Sequence, residues 1–152
     1  YKLSNKSKQK LRKYRIKNAS FKPKIVIIGA GYSGICAAIK LITKLGYSDF
    51  IILEREQDIG GTWHVNTYPN LECDIPSYLY SFSFEQKYNW SKEYAPGPEI
   101  FKYLKTVCDK YGLYKYIKFG CKVERLEYDD ERCEYTIQYS KVNDDIKYFT
   151  KG

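Results

Sequence analysis

Residues 24–28, Lys-Ile-Val-Ile-Ile, form an almost unbroken apolar run that ends at Gly29, the pattern of a strand buried on both faces. From Ser33 to Leu45 the apolar positions Ile35, Ala38, Ile39, Ile42 and Leu45 recur at helical spacing, and Gly46 supplies the stop. Phe50–Leu53 is a second β-type run, so residues 24–54 are predicted to form one strand, helix, strand unit with a right-handed crossover. Beyond it, residues 55–97 are rich in aromatics and punctuated by Pro69, Pro76 and Pro96. They read as a long ordered insertion with a short helix near Ser77–Tyr80, since a loop of this length is normally functional or disordered and aromatic content favours order. A helix is expected from Pro98 through Tyr111, with Ile100, Leu104, Val107, Cys108 and Tyr111 on one face and Gly112 past its end. Ile117–Phe119 reads as a short strand. Lys122–Tyr128, Glu134–Tyr139 and Ile146–Thr150 alternate polar and apolar residues, with turns at Asp129-Asp130 and Asn143-Asp144, which predicts a β-meander.

Charge divides the chain. Residues 1–24 hold ten Lys or Arg and no acid, while the other 128 hold sixteen basic and eighteen acidic side chains, so the formal +8 belongs to an amino-terminal arm. Residues 1–22 are expected to be a disordered, solvated tail with at most a weak contact to polyanions and no specific nucleic-acid partner. Residues 23–152 are expected to form one domain, because the chain is short for an enzyme that must hold two nucleotides and a substrate. No stretch approaches the roughly 20 apolar residues of a membrane span. The five cysteines, an odd set without a Cys-x-x-Cys pair, and the single histidine, His64, argue against a structural zinc site or a disulfide framework and for a reducing, cytoplasmic location. A targeting peptide upstream of Tyr1 is left open.

Candidate chemistry begins at Gly29-Ala30-Gly31-Tyr32-Ser33-Gly34. Gly29 permits the tight turn off the strand, Gly31 lets backbone approach a pyrophosphate, and Gly34 allows the helix to pack near the strand. The helix from Ser33 then directs its free N–H groups at the phosphates. Glu54, twenty residues after Gly34, is placed to accept hydrogen bonds from the ribose hydroxyls of an adenosine and would repel a 2′-phosphate, which favours FAD or NAD over NADP here.

A second series, Gly60-Gly61-Thr62-Trp63, Asn66, Tyr68-Pro69, Cys73-Asp74, Ser77, Tyr80-Ser81-Phe82-Ser83-Phe84 and Trp90 through Ile100, follows in register. With it the chain resembles the amino-terminal FAD-binding segment of Baeyer–Villiger monooxygenases, within the wider flavin-containing monooxygenase group. That resemblance implies a Rossmann-like α/β FAD-binding domain of three layers, a parallel sheet with a β-meander, over residues 23–152 and truncated before its closing strand. It further implies Gly61 beside the pyrophosphate, Thr62 and Trp63 along the ribityl chain and ring, Tyr80 in contact with FAD, and Val123 holding the adenine edge through its backbone. Asp74 is implied near the reactive face of the flavin as the catalytic carboxylate. Asn70 and Glu72 depart from the pattern, standing where the family usually has Gly and commonly has Arg. His64 stands where an aromatic is frequent and reads as packing or surface, and Cys73 as a small buried residue.

For a full-length parent the resemblance implies an FAD- and NADPH-dependent monooxygenase. It would insert one atom of O₂ next to the carbonyl of a small lipophilic ketone by way of a C4a-peroxyflavin. The nicotinamide-binding domain of such enzymes has no counterpart in these residues, so the chain alone is expected to bind at most FAD and not to turn over. An N- or S-oxygenating flavin monooxygenase and a non-catalytic flavin-binding fragment are the alternatives.

Overall fold

The computed structural model describes residues 25–141 and 144–151, so the basic arm at 1–22 and Asn143 of the expected last turn lie outside the described residues. β1 (Ile25–Ile28) runs parallel to β2 (Phe50–Leu53), with Ile25 opposite Phe50 and Ile28 opposite Leu53. β2 is flanked on its other side by β3 (Ile117–Lys118), also parallel, giving the order β1-β2-β3. Between β1 and β2 lies α1 (Tyr32–Leu45), whose buried stripe is Ile35, Ala38 and Ile39. Gly46, at φ 58°, ends it and donates its N–H to the Ile42 carbonyl at 3.1 Å.

Period-two alternation in β2 explains the layers. Phe50 and Ile52 point to the helical side and share a core with Ile35, Ile39, Leu104, Val107 and Cys108. Ile51 and Leu53 point the other way, where with Val26 they meet Cys121, Val123, Ile137 and Tyr139. Those last four belong to a second, antiparallel sheet of β4 (Cys121–Asp129), β5 (Glu134–Lys141) and β6 (Asp144–Lys151), the expected meander. The parallel sheet is therefore sandwiched between helices and meander, and each of its fully buried side chains contributes about 1.5–3 kcal/mol. Among the described residues β1 pairs on one side only.

α3 (Gly97–Lys110) starts where Pro96 occupies the cap with ψ 148° and Pro98 fills the first turn, one residue earlier than expected. Its buried face adds Tyr103 to the expected Ile100, Leu104, Val107 and Cys108. A single 3₁₀ turn, Tyr114–Tyr116, then leads into β3.

Residues 55–97 are ordered by long-range hydrogen bonds. The Cys73 and Gly97 amides donate to the carbonyls of Ala95 and Leu71, at 3.0 and 2.8 Å, and the Ser77 amide to that of Glu93 at 2.7 Å. The expected short helix near Ser77–Tyr80 is corrected to a run of turns, with only i→i+3 bonds from Leu79 to Pro76 and from Tyr80 to Ser77. The reason is that Ser77 is committed elsewhere: its N–H binds Glu93 and its Oγ accepts the Ala95 amide at 2.7 Å. A four-residue helix the sequence does not announce, α2 (Thr62–Val65), lies earlier in the segment.

Asn70, at φ 62°, adopts the left-handed backbone that suits the glycine expected there. Cys133 is the other such residue among those described, at φ 55° and exposed in the β4–β5 hairpin, where the Asp129 carboxylate accepts the Glu131 and Arg132 amides at 2.9 and 3.0 Å. Cys133→Gly is expected to stabilise the chain by up to about 1 kcal/mol, and Cys133→Val to destabilise it, read as opposite shifts in the urea midpoint. Equal midpoints would show that this turn stores no strain.

Candidate functional site

The glycine turn is built from β1 outward. Gly29, at φ 88°, donates its amide to the Leu53 carbonyl at 2.8 Å, which seats the turn on the end of β2. At Gly34 a Cβ would stand 2.0 Å from the Gly29 carbonyl oxygen and 3.3 Å from Ile27 Cγ2, so only glycine lets α1 come this close to the strand. α1 begins at Gly31 with no side-chain cap and no acid in its first turn, which leaves the N–H groups of that turn and the positive dipole end available to an anion. Lys44 in the last turn complements the opposite end.

Across the turn stands the Gly60-Gly61 pair. Gly60 donates its amide to the Ala30 carbonyl at 2.9 Å, and a Cβ on Gly61 would come 3.2 Å from Gly31 Cα. Gly60 itself, at φ 113°, lies where a Cβ would strike the Phe101 ring at 2.8 Å. That ring stacks on His64 at 5.5 Å, which makes the lone histidine a packing residue. Asp58 closes the same corner through a 2.7 Å ion pair with Lys105. Burial pushes the Asp58 carboxyl up, but hydrogen bonds from Lys105 and the Ile59 amide outweigh it and hold it below the usual carboxylate range.

Glu54 forms the third wall. It is 4% exposed, and its backbone is fixed by bonds to the Lys118 carbonyl and from the Cys121 amide. Its Oε2 accepts the Ala30 amide at 2.5 Å and its Oε1 the Glu56 amide at 2.9 Å. A carboxylate offers about four acceptor positions, so these two bonds orient the group toward the glycine turn and leave capacity for a ligand hydroxyl. Together the walls enclose a cleft of ≈480 Å³. Small-molecule sites span roughly 300–1,000 Å³.

Of the residues singled out from the sequence, Gly29, Gly31, Glu54, Gly61, Thr62 and Val123 line this one cleft, although they come from five separate elements and turns. Ser33 and Gly34 do not line it; they lie in the first turn of α1, with Ser33 exposed. Trp63 and Tyr80 do not line it. They are joined to each other, the indole N–H donating to the Tyr80 hydroxyl at 3.2 Å. Asp74 is exposed beside exposed Ile75, also outside the cleft, while its neighbour Cys73 is buried as expected. The cleft adds Arg55, Val65, Asn66, Cys121 and Lys122. Arg55 has a sequence signal in its adjacency to Glu54. Val65 and Asn66 depend on α2, and Cys121 and Lys122 on how the meander docks, neither of which has a local signature.

A parallel sheet under a helix, a glycine turn whose approach excludes side chains, and a buried carboxylate at the neighbouring strand end define a dinucleotide-binding α/β domain. A family model described as an NAD(P)-binding Rossmann-like domain matches residues 27–104, half of the chain, and the chain belongs to that family. Among curated relatives, it is 43% identical over 114 residues to the FAD-binding monooxygenase ktnD of Aspergillus niger, covering 75% of this chain and 19% of that protein. It is 38% identical over 115 residues to a Baeyer-Villiger monooxygenase of Streptomyces coelicolor, covering 76% and 22%. Among solved structures, an open crystal structure of cyclohexanone monooxygenase superposes with TM-score 0.75 at 33% identity, over 86% of this chain and 25% of that one. An oxidized steroid monooxygenase bound to NADP gives 0.72 at 33% identity, over 78% and 23%. The relatives are thus the monooxygenases that the Gly60–Ile100 series resembles, and the chain spans about a fifth to a quarter of their length.

Proposed function

We propose that this chain is the FAD-binding part of an NADPH-dependent monooxygenase of Baeyer–Villiger type, with residues 23–152 as one FAD-binding domain. The observation that carries the reading is the cleft in which Gly29, Gly31 and Gly61 leave bare backbone opposite Glu54. The residues fit the group: the uncapped start of α1 suits the pyrophosphate, the Glu54 carboxylate the adenosine ribose, and the Val123 backbone the adenine edge. Thr62, Trp63 and Tyr80 would lie along the flavin half, with Ser33 and Gly34 supporting the phosphate end. FAD, when bound, supplies the redox chemistry, and the chain's residues bind and orient it.

Asp74, exposed on the 55–97 segment, is assigned as the carboxylate that would orient a nicotinamide at the flavin in the whole protein, whose substrate would be a small lipophilic ketone. The names of relatives support that substrate class, cyclohexanone monooxygenase among them. A reducing, cytoplasmic location fits five cysteines that are all free thiols. Among the described residues no helix is long and apolar enough to cross a membrane.

Titration of the 152-residue chain with FAD, followed by flavin fluorescence and absorbance, is expected to show saturable one-to-one binding. The same chain is expected to oxidise NADPH no faster than a free-flavin control. Failure to bind FAD would remove this reading.

A further inference from the structure

Tyr32 sits inside the glycine turn, between Gly31 and Ser33, yet lines no part of the cleft. Its ring packs, tilted, with its centroid 4.7 Å from that of Tyr80 and 4.9 Å from that of Phe82. Its hydroxyl donates to the Tyr80 carbonyl at 2.9 Å. Tyr80 in turn accepts the Trp63 indole N–H on its own hydroxyl, with the two rings edge to face at 5.6 Å. The first residue of α1 is thereby tied, through a single intermediary 48 positions away in sequence, to the side chain that follows Thr62.

The two sides of the site are joined twice. Near the bottom, the Gly60–Ala30 bond and the Gly31–Gly61 approach are backbone contacts and hold whatever the side chains do. Farther out, the two sides are joined by a relay through Tyr80, whose carbonyl accepts the Tyr32 hydroxyl and whose own hydroxyl accepts the Trp63 indole N–H. Tyr103 differs: its hydroxyl accepts the Phe82 amide and donates to the Glu85 carbonyl, so its bonds stay within residues 82–85. Burial, with smaller contributions from Tyr103 and Tyr80, pushes the Tyr32 hydroxyl well above the ordinary tyrosine range, which keeps the donor intact at any working pH.

We propose that Tyr32 is a positioning residue for the flavin half of the site, setting Trp63 through Tyr80 while leaving the ADP half to Gly29, Gly31 and Glu54. The inference rests on the FAD reading above. Tyr32→Phe keeps the ring and its packing and removes only the donor.

Titrating the 152-residue chain and its Tyr32→Phe variant with FAD and with ADP tests it. FAD affinity is expected to fall about fivefold, the equivalent of one ordinary hydrogen bond, with ADP affinity within about twofold. The visible circular dichroism of bound flavin is expected to change. Tyr80→Phe, which keeps the carbonyl that Tyr32 uses but removes the link to Trp63, should shift that spectrum in the same direction. Equal losses for FAD and ADP would make Tyr32 merely structural, and unchanged FAD affinity and spectrum would refute the relay. An unsubstituted chain that binds no FAD overturns the FAD reading and this inference together, whereas a binding chain with an indifferent Tyr32→Phe variant overturns only the inference.

Discussion

Gly34→Ala is expected to abolish FAD binding and to cost the fold about 3 kcal/mol, because the added Cβ would lie 2.0 Å from the Gly29 carbonyl oxygen. Both nearest atoms, that oxygen and its carbon at 3.2 Å, are backbone, so no side-chain rotation relieves the collision. The turn or the helix must shift by roughly 1.4 Å or more to restore ordinary contact, and that displaces the amides that would meet the pyrophosphate. Gly29→Ala is the informative contrast. Nothing lies within 4 Å of its Cβ, but its φ of 88° makes a side chain strained, so a loss of only about 1–2 kcal/mol is expected. Urea denaturation of the two variants checks the order. A Gly34→Ala chain with native stability would mean that α1 does not press on the turn as described.

Glu54→Ala is expected to cost roughly 3 kcal/mol in stability and to lower FAD affinity more than tenfold. The stability loss follows from two amides that lose their acceptor, the buried Ala30 N–H at about 1–3 kcal/mol and the part-buried Glu56 N–H at the lower end of that range. The affinity loss follows because the ribose loses its acceptor and the Ala30 amide, part of the glycine turn, loses its anchor. Glu54→Gln separates the two effects. Its single amide oxygen can satisfy one N–H, while its NH₂ group meets the other donor unfavourably, so intermediate losses are expected. Calorimetric titration with FAD alongside thermal unfolding gives both numbers. If Glu54→Gln binds FAD as tightly as the unsubstituted chain, the ribose assignment is wrong even though the structural role of the carboxylate stands.

These two positions show why the proposed phosphate end of the site is legible in the chain itself. Gly29, Gly31 and Gly34 lie within six residues, and their requirement is local: a strand must turn sharply into a helix that starts beside it. Glu54 is farther along, but β1, α1 and β2 have lengths set by periodicity, so the parallel pairing of Ile28 with Leu53 brings it to the same edge. The proposed flavin end is legible only through resemblance. Trp63 and Tyr80 carry no periodic signal, α2 is too short to show one, and the aromatic positions that contact one another are separated by up to 71 residues, as Tyr32 is from Tyr103. The misread turn at Ser77–Tyr80 has the same origin, since the bonds that divert Ser77 come from Glu93 and Ala95.

What the sequence determined alone is the strand, helix, strand unit, the glycine turn with its distant acid, and the alternating meander, because each depends on side-chain spacing and backbone freedom within a few residues. What only the tertiary structure decided is which face of β2 meets the meander, where the 55–97 segment runs, and which residues close the cleft. Cys121, Lys122 and Val123 join Gly29 and Glu54 because Cys121 and Val123 pack beneath β2, and Tyr32 reaches Trp63 because one hydroxyl finds one carbonyl 48 residues away. Those are long-range choices among many compact arrangements, made by burial and hydrogen-bond satisfaction across the whole domain, and no local pattern encodes them.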